Sequence, residues 1–72
     1  MTLDTLVQDA ETYAEEFHSL EVTFVSELWS VTVHLSAPDG TECDFNGSDA
    51  YLDQAIGKTH GRMQEYFTEE DG

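Results

Sequence analysis

The stretch WSVTVHLSAPDGTECDFN, residues 29–46, decides the fold. Trp29, Val31, Val33 and Leu35 alternate with Ser30, Thr32 and His34, the period of two expected of a strand buried on one face. Ala37-Pro38-Asp39-Gly40 then supplies a turn: proline fixes φ, aspartate bonds back to the backbone, and glycine accepts a positive φ. Alternation resumes over residues 41–46, with Cys43 and Phe45 on one face and Glu42 and Asp44 on the other. Two such strands joined by such a turn make an antiparallel hairpin with one apolar face, and that face needs a cover.

The flanking sequence supplies it. Val22 and Phe24, alternating with Thr23 and Val25, read as an earlier strand with a tight connection near Ser26-Glu27. Before it, Leu3, Leu6, Val7, Ala10, Ala14 and Phe17 recur in steps of three and four, which predicts an amphipathic helix over residues 3–17, with Thr2 as its N-cap. After the hairpin, Gly47-Ser48 is expected to end the sheet, and Ser48 or Asp49 to cap a second helix. Its buried stripe is Leu52, Ala55, Ile56, Thr59, Met63 and Phe67. Gly57 and Gly61 share a face of that helix and each costs up to about 1 kcal/mol there. Close approach of another backbone is one explanation for them, and a local kink or early helix end the other. Residues 68–72 read as a frayed acidic tail.

The fold class expected is therefore α+β, in the order α-β-β-β-α. It is one domain spanning residues 1–72, a three-stranded antiparallel meander with both helices on one face. The element order resembles that of the double-stranded RNA-binding domain. That family meets phosphate with lysines at the start of its last helix. Here the corresponding Ser48-Asp49-Ala50-Tyr51-Leu52-Asp53 is acidic, which argues against nucleic acid as a partner.

Charge is the second decisive property. Sixteen carboxylates face only Lys58 and Arg62, for a formal charge of -14 over 72 residues. A folded chain of this size exposes roughly 4,500 Å², so each 300 Å² or so carries one net negative charge. Self-repulsion at that density opposes compaction and must serve something outside the fold. With 39% hydrophobic residues the chain is nonetheless too apolar for a disordered acidic tail. The lone Cys43 cannot close an internal disulfide, and no leader or membrane span is visible, so a cytoplasmic location is expected.

No catalytic signature emerges. His18, His34, His60 and Cys43 lack the spacing of a zinc site and read as surface histidines and a core cysteine. Asp39, Glu42, Asp44 and Asp49 lack the alternation of a calcium loop. Neither metal, cofactor nor enzymatic activity is expected. Trp29, Phe24, Phe45 and Phe17 fall on faces assigned to the core, whereas Tyr51 and Tyr66 sit at the edge of a helix stripe where tyrosine can anchor a partner.

What remains is the acidic coat itself. Glu11, Glu15 and Glu16 on the first helix, Asp39, Glu42 and Asp44 on the hairpin, Asp49 and Asp53 at the second helix, and Tyr51 beside them form the expected partner-binding set. Glu42 and Asp44, two apart on a strand, project about 6.8 Å from each other as a row of like charge. In size, charge and lack of catalytic apparatus the chain resembles small acidic phage anti-defence proteins, above all the anti-CRISPR proteins. That resemblance implies occlusion of a basic nucleic-acid-binding surface, on a Cas effector subunit or another nucleic-acid-binding enzyme. Related acidic mimics inhibit restriction enzymes or uracil-DNA glycosylase. The alternatives are a salt-adapted domain from a high-salt cytoplasm and an immunity or antitoxin protein that neutralises a basic nuclease. A monomer is expected, with open strand edges leaving a homodimer as the other possibility.

Overall fold

In the computed structural model, which describes residues 1–68, the order is α1 (Leu3–Tyr13), β1 (Glu16–Val25), β2 (Leu28–Ser36), β3 (Glu42–Asp49) and α2 (Leu52–Thr68). The strands form one antiparallel sheet in the order β1-β2-β3. Val31, Val33 and Leu35 of β2 are fully buried beneath the helices with Cys43 and Phe45 of β3, Leu6 and Ala10 of α1, and Ala55, Ile56 and Met63 of α2. The other sheet face carries Ser30, Thr32, His34 and Ser36 of β2 and Glu42, Asp44 and Asn46 of β3. The α-β-β-β-α meander read from the sequence is thus the fold. No helix of the described residues is long and apolar enough to cross a membrane.

The boundaries depart from the sequence reading in three places. The first helix ends at Tyr13, not Phe17. Ala14 is already extended, and the Glu15 N–H donates to the Ser36 carbonyl at 2.8 Å. Glu15 and Glu16 therefore belong to the sheet entry, and Phe17 reaches the core from β1 opposite Leu35. Gly47 and Ser48 do not end the sheet but continue β3 opposite Val31 and Ser30. Asp49 is the last residue of β3; its carboxylate accepts from the Tyr51 N–H at 3.1 Å in a short turn that leads into α2. Finally, α2 runs unbroken through Gly57 and Gly61, beside which a Cβ would meet open space, so neither a close approach nor a kink accounts for them. The acidic tail expected over 68–72 lies outside the described residues, except Thr68, which closes α2.

Gly47 is where a side chain could not be accommodated. A Cβ there would lie 2.5 Å from the Thr59 backbone nitrogen and 2.8 Å from the Ala55 carbonyl oxygen. The space lets α2 settle onto the sheet, where the Thr59 hydroxyl donates to the Val31 carbonyl at 2.8 Å. The two helices meet through stacked Tyr13 and Phe67 rings, 5.1 Å between centroids, and through His60 and Asp9, 2.5 Å apart. His60 is thus no surface histidine: it is only 9% exposed and occupies the buried stripe one turn after Ile56.

Helix and strand lengths do not match across the sheet. At 1.5 Å per residue α2 is about 26 Å long, close to the length of eight-residue β3. By the same measure α1 is about 17 Å long and β1 about 34 Å, so α1 covers about half of it. The far half of β1 is accordingly bare: Val22 is 36% and Phe24 53% exposed, which corrects the expectation that Phe24 is core. Phe24 instead packs on Trp29 at 4.6 Å between ring centroids, on the helix side of the hairpin end.

The β1–β2 connection is a two-residue turn in which Ser26 (φ 55°) and Glu27 (φ 60°) both take the left-handed conformation. Such a turn matches the strand twist but suits Asn-Gly far better than Ser-Glu. Replacing Ser26-Glu27 by Asn-Gly should stabilise the fold by about 1 kcal/mol and raise the melting midpoint by about 4–8 °C. An unchanged or lowered midpoint in a circular-dichroism melt would show that the turn is unstrained.

Candidate acidic sheet face

The uncovered face of the sheet gathers polar side chains in cross-strand rows. In the first row Glu16 of β1 and Glu42 of β3 both lie opposite Ser36 of β2. The Ser36 hydroxyl donates to a Glu42 carboxylate oxygen at 2.9 Å, and His18 Nε2 lies 2.8 Å from the same hydroxyl. A register shift between Phe17 and Ser19 places His18 as the extra residue of a β-bulge. That extra residue lets its ring join the open face while Phe17 and Leu20 still point to the core.

In the second row His34 stands between two carboxylates. Its Nδ1 lies 2.6 Å from Asp44 Oδ1, and its Nε2 lies 2.9 Å from Glu21 Oε2. A carboxylate only accepts, so both ring nitrogens must donate, which requires the imidazolium form. The Asp44 hydrogen bond outweighs the opposing desolvation and, with the bond to Glu21, holds the His34 pKa above its ordinary value. The third row is neutral: the Asn46 amide donates to the Ser30 and Thr32 hydroxyls, each at 2.8 Å.

Of the nine residues expected to face a partner, the structure brings Glu16, Glu42 and Asp44 together here. Asp39 lies nearby in the β2–β3 turn, its carboxylate accepting from the Thr41 N–H at 3.0 Å, a bond that lowers its pKa. Glu15 sits at the entry to β1, and Glu11 lies exposed on α1, apart from the sheet face. The remaining three run from the end of β3 into α2: Asp49 closes the strand, Tyr51 lies in the turn and Asp53 in the first turn of the helix. Tyr51 is 69% exposed and Asp53 is exposed beside an apolar groove lined by Met1, Leu3, Leu52 and Ile56.

Asp49 has a structural task instead. Its side chain is 23% exposed and lies 2.9 Å from Lys58 Nζ. The Lys58 hydrogen bond lowers its pKa, with help from the Tyr51 N–H. The same ammonium donates to the Ser48 carbonyl at 3.2 Å, tying α2 to the end of β3.

Sequence reasoning left Glu21 and His34 out of the site. A signal for them existed. The hairpin turn sets Ser36 opposite Glu42, and counting inward by two sets His34 opposite Asp44. Glu21 needed the register of β1, which the bulge at His18 conceals.

No group of three or more histidine, cysteine or acidic side chains among the described residues is arranged to hold a metal ion. The chain matches no protein-family model, no curated protein and no solved structure.

Because the folded pKa of His34 lies above the unfolded one, its pairing adds stability that is fully present below about pH 6.5 and is lost as pH rises through the folded value. Side-chain NMR should therefore find His34 titrating above about 6.5 in the native chain and closer to that value in Asp44→Asn. Titration at or below the ordinary value would mean that the Glu21–His34–Asp44 row does not form in solution.

Proposed function

We propose that this chain is a non-enzymatic inhibitor that occupies a basic, nucleic-acid-binding surface of a bacterial defence complex. The partner is a Cas effector subunit or another nucleic-acid-binding enzyme. The observation that carries this reading is the open sheet face, where Glu16, Glu21, Glu42 and Asp44 stand on a three-stranded surface. Adjacent strands lie about 4.8 Å apart and alternate residues about 6.8 Å, so these carboxylates recur on the scale of neighbouring backbone charges in a nucleic acid. Hydroxyls and amides of Ser30, Thr32, Ser36 and Asn46 fill the intervals with hydrogen-bonding groups.

The two fixed positive charges do not cancel this surface, and the His34 imidazolium offsets only one of its carboxylates. Lys58 is engaged with Asp49 on the far side of the sheet, and Arg62 is exposed on α2. Carboxylates steer a basic partner from a distance, giving fast association that weakens as salt is added. At contact they pair with the Lys and Arg that would otherwise hold phosphate, so target DNA or guide RNA is displaced by occlusion. The chain needs no catalytic group for this, and its bulk beyond the acidic face supplies the steric block.

Competition for DNA tests the reading directly. The purified chain, added to a CRISPR effector complex, a restriction enzyme and a uracil-DNA glycosylase at about 0.05 M salt, should abolish DNA binding by at least one of them. Joint replacement of Glu16, Glu21 and Glu42 by Gln and Asp44 by Asn should weaken that inhibition about tenfold or more, whereas Glu11→Gln should change it less than about twofold. Undiminished DNA binding across the panel would defeat the proposal.

The reading also requires a chain that folds without molar salt. A cooperative thermal transition is expected in dilute buffer, rising by a few degrees in 0.15 M NaCl, where screening reaches about 8 Å. A chain unfolded until molar salt is added would instead identify the acidity as salt adaptation.

A further inference from the structure

The bare half of β1 is the largest feature that the acidic face leaves unexplained. β1 is an edge strand of ten residues, and the described helices cover only its beginning. Its unpaired backbone groups can be located. The two-residue turn closes with Val25 opposite Leu28, a pair that exchanges both backbone hydrogen bonds, and pairs alternate from there. Phe24, Val22 and Leu20 therefore direct their N–H and C=O groups outward, away from β2. The same three residues carry their side chains on the helix side, opposite Trp29, Val31 and Val33. Free hydrogen-bonding groups thus coincide along one line with the exposed side chains of Val22 and Phe24 and the half-buried Leu20.

Natural edges of this kind are blunted by charge, proline or a bulge. The bulge at His18 protects the start of β1. From Ser19 to Val25 the only charged residue is Glu21, and its carboxylate is paired with His34. In a chain of net charge -14, this stretch carries one carboxylate in seven residues, which shares the His34 imidazolium with Asp44; β3, the other edge, carries Glu42, Asp44 and Asp49 in eight.

We propose that two copies of the chain pair antiparallel through the outer edge of β1, about a two-fold axis at Val22, to form a continuous six-stranded sheet. This register sets Val22 opposite Val22 and Leu20 opposite Phe24, so the outward groups form about six hydrogen bonds and the bare apolar row is covered. Glu21 then faces Thr23 of the other copy, whereas an axis at Glu21 would set two like charges opposite each other. The axis is perpendicular to the sheet, so both acidic faces lie on one side and form a single wider surface.

The contact is small. Seven paired residues extend about 24 Å, and two side-chain layers together about 10 Å deep give roughly 240 Å² per copy. That is below the size of a standard specific interface and implies a weak, transient dimer with a dissociation constant toward the upper end of the micromolar range. The remaining carboxylates of the two copies repel, so salt should strengthen the dimer. That sign is opposite to the one expected for capture of a basic partner.

Sedimentation velocity on the full chain in 0.15 M NaCl, from about 1 to about 500 µM, should show a shift from the mass of one chain to that of two. The shift should move to lower concentration in 0.5 M NaCl. Val22→Lys, which sets two ammonium groups at the axis, should remain monomeric throughout. Hydrogen exchange on the unaltered protein provides the same test without relying on a variant that folds. The amides of Leu20, Val22 and Phe24 should gain protection of about tenfold or more at the higher concentration, while those of β3 stay unchanged. A single-chain mass at every concentration, dimerisation that persists in Val22→Lys, or exchange at these three amides independent of concentration would each overturn the proposal. None of these outcomes bears on whether the acidic face binds a basic protein.

Discussion

The structure depends on a one-sided closure of β2. Val31, Val33 and Leu35 can be dry only if α2 lies directly on the sheet, and Gly47 makes that contact possible by presenting no side chain to Thr59 and Ala55. The Thr59 hydroxyl, fully buried, is satisfied by the Val31 carbonyl in the same contact, so close approach leaves no stranded polar group. Because period-two alternation sends every second residue the other way, burying these three commits Ser30, Thr32, His34 and Ser36 to the opposite face. The acidic face is therefore a consequence of how the core closes. A chain whose charges repel one another over 4546 Å² of surface has little stability to spare, and this closure is the main force against that repulsion.

The same constraint explains why the hairpin of residues 29–46 was legible in the sequence and other parts were not. Alternation and turn chemistry are local, and here both agreed with burial. His60 was misread because polarity was allowed to override position, although the step from Ile56 to His60 to Met63 keeps helical spacing. Its burial is tolerable because Asp9, from another helix, supplies a partner that no local pattern reveals. Ala14 to Phe17 fitted the helical stripe equally well, but pairing of Glu15 and Glu16 with Ser36 outweighed helix propensity. Phe24 was placed on the right face and the wrong depth. Which face a strand residue occupies follows from its own sequence; whether a helix reaches it depends on the length of another element.

On the acidic face, charge and rigidity act against each other. A surface that imitates a polyanion gains from carboxylates fixed in place, since ordering long side chains on binding costs about 0.5–1.5 kcal/mol each. His34 fixes Asp44 and Glu21 and in doing so cancels one of their two charges. Ser36 fixes Glu42 through a neutral hydroxyl and cancels none. The face thus carries two kinds of anchored carboxylate, and the charge of the His34 row grows as that imidazolium deprotonates. Stability and negative potential consequently change in opposite directions as pH rises through the His34 pKa.

The bare edge of β1 follows from the size of the chain. Five elements drawn from 72 residues leave α1 only 11 residues long against a ten-residue strand, and a helix advances less than half as far per residue as a strand does. A longer α1 would hide Val22 and Phe24, but it would also add outward-facing positions to a surface already crowded with charge. Keeping the far half of that edge to the single carboxylate of Glu21 concentrates apolar surface and unpaired backbone in one place, where a second copy can cover both without setting charge against charge. The acidic coat and the neutral edge are then two results of one division. Carboxylates crowd the open face, whereas along the outer half of β1 only Glu21 is charged, and it shares the His34 imidazolium with Asp44.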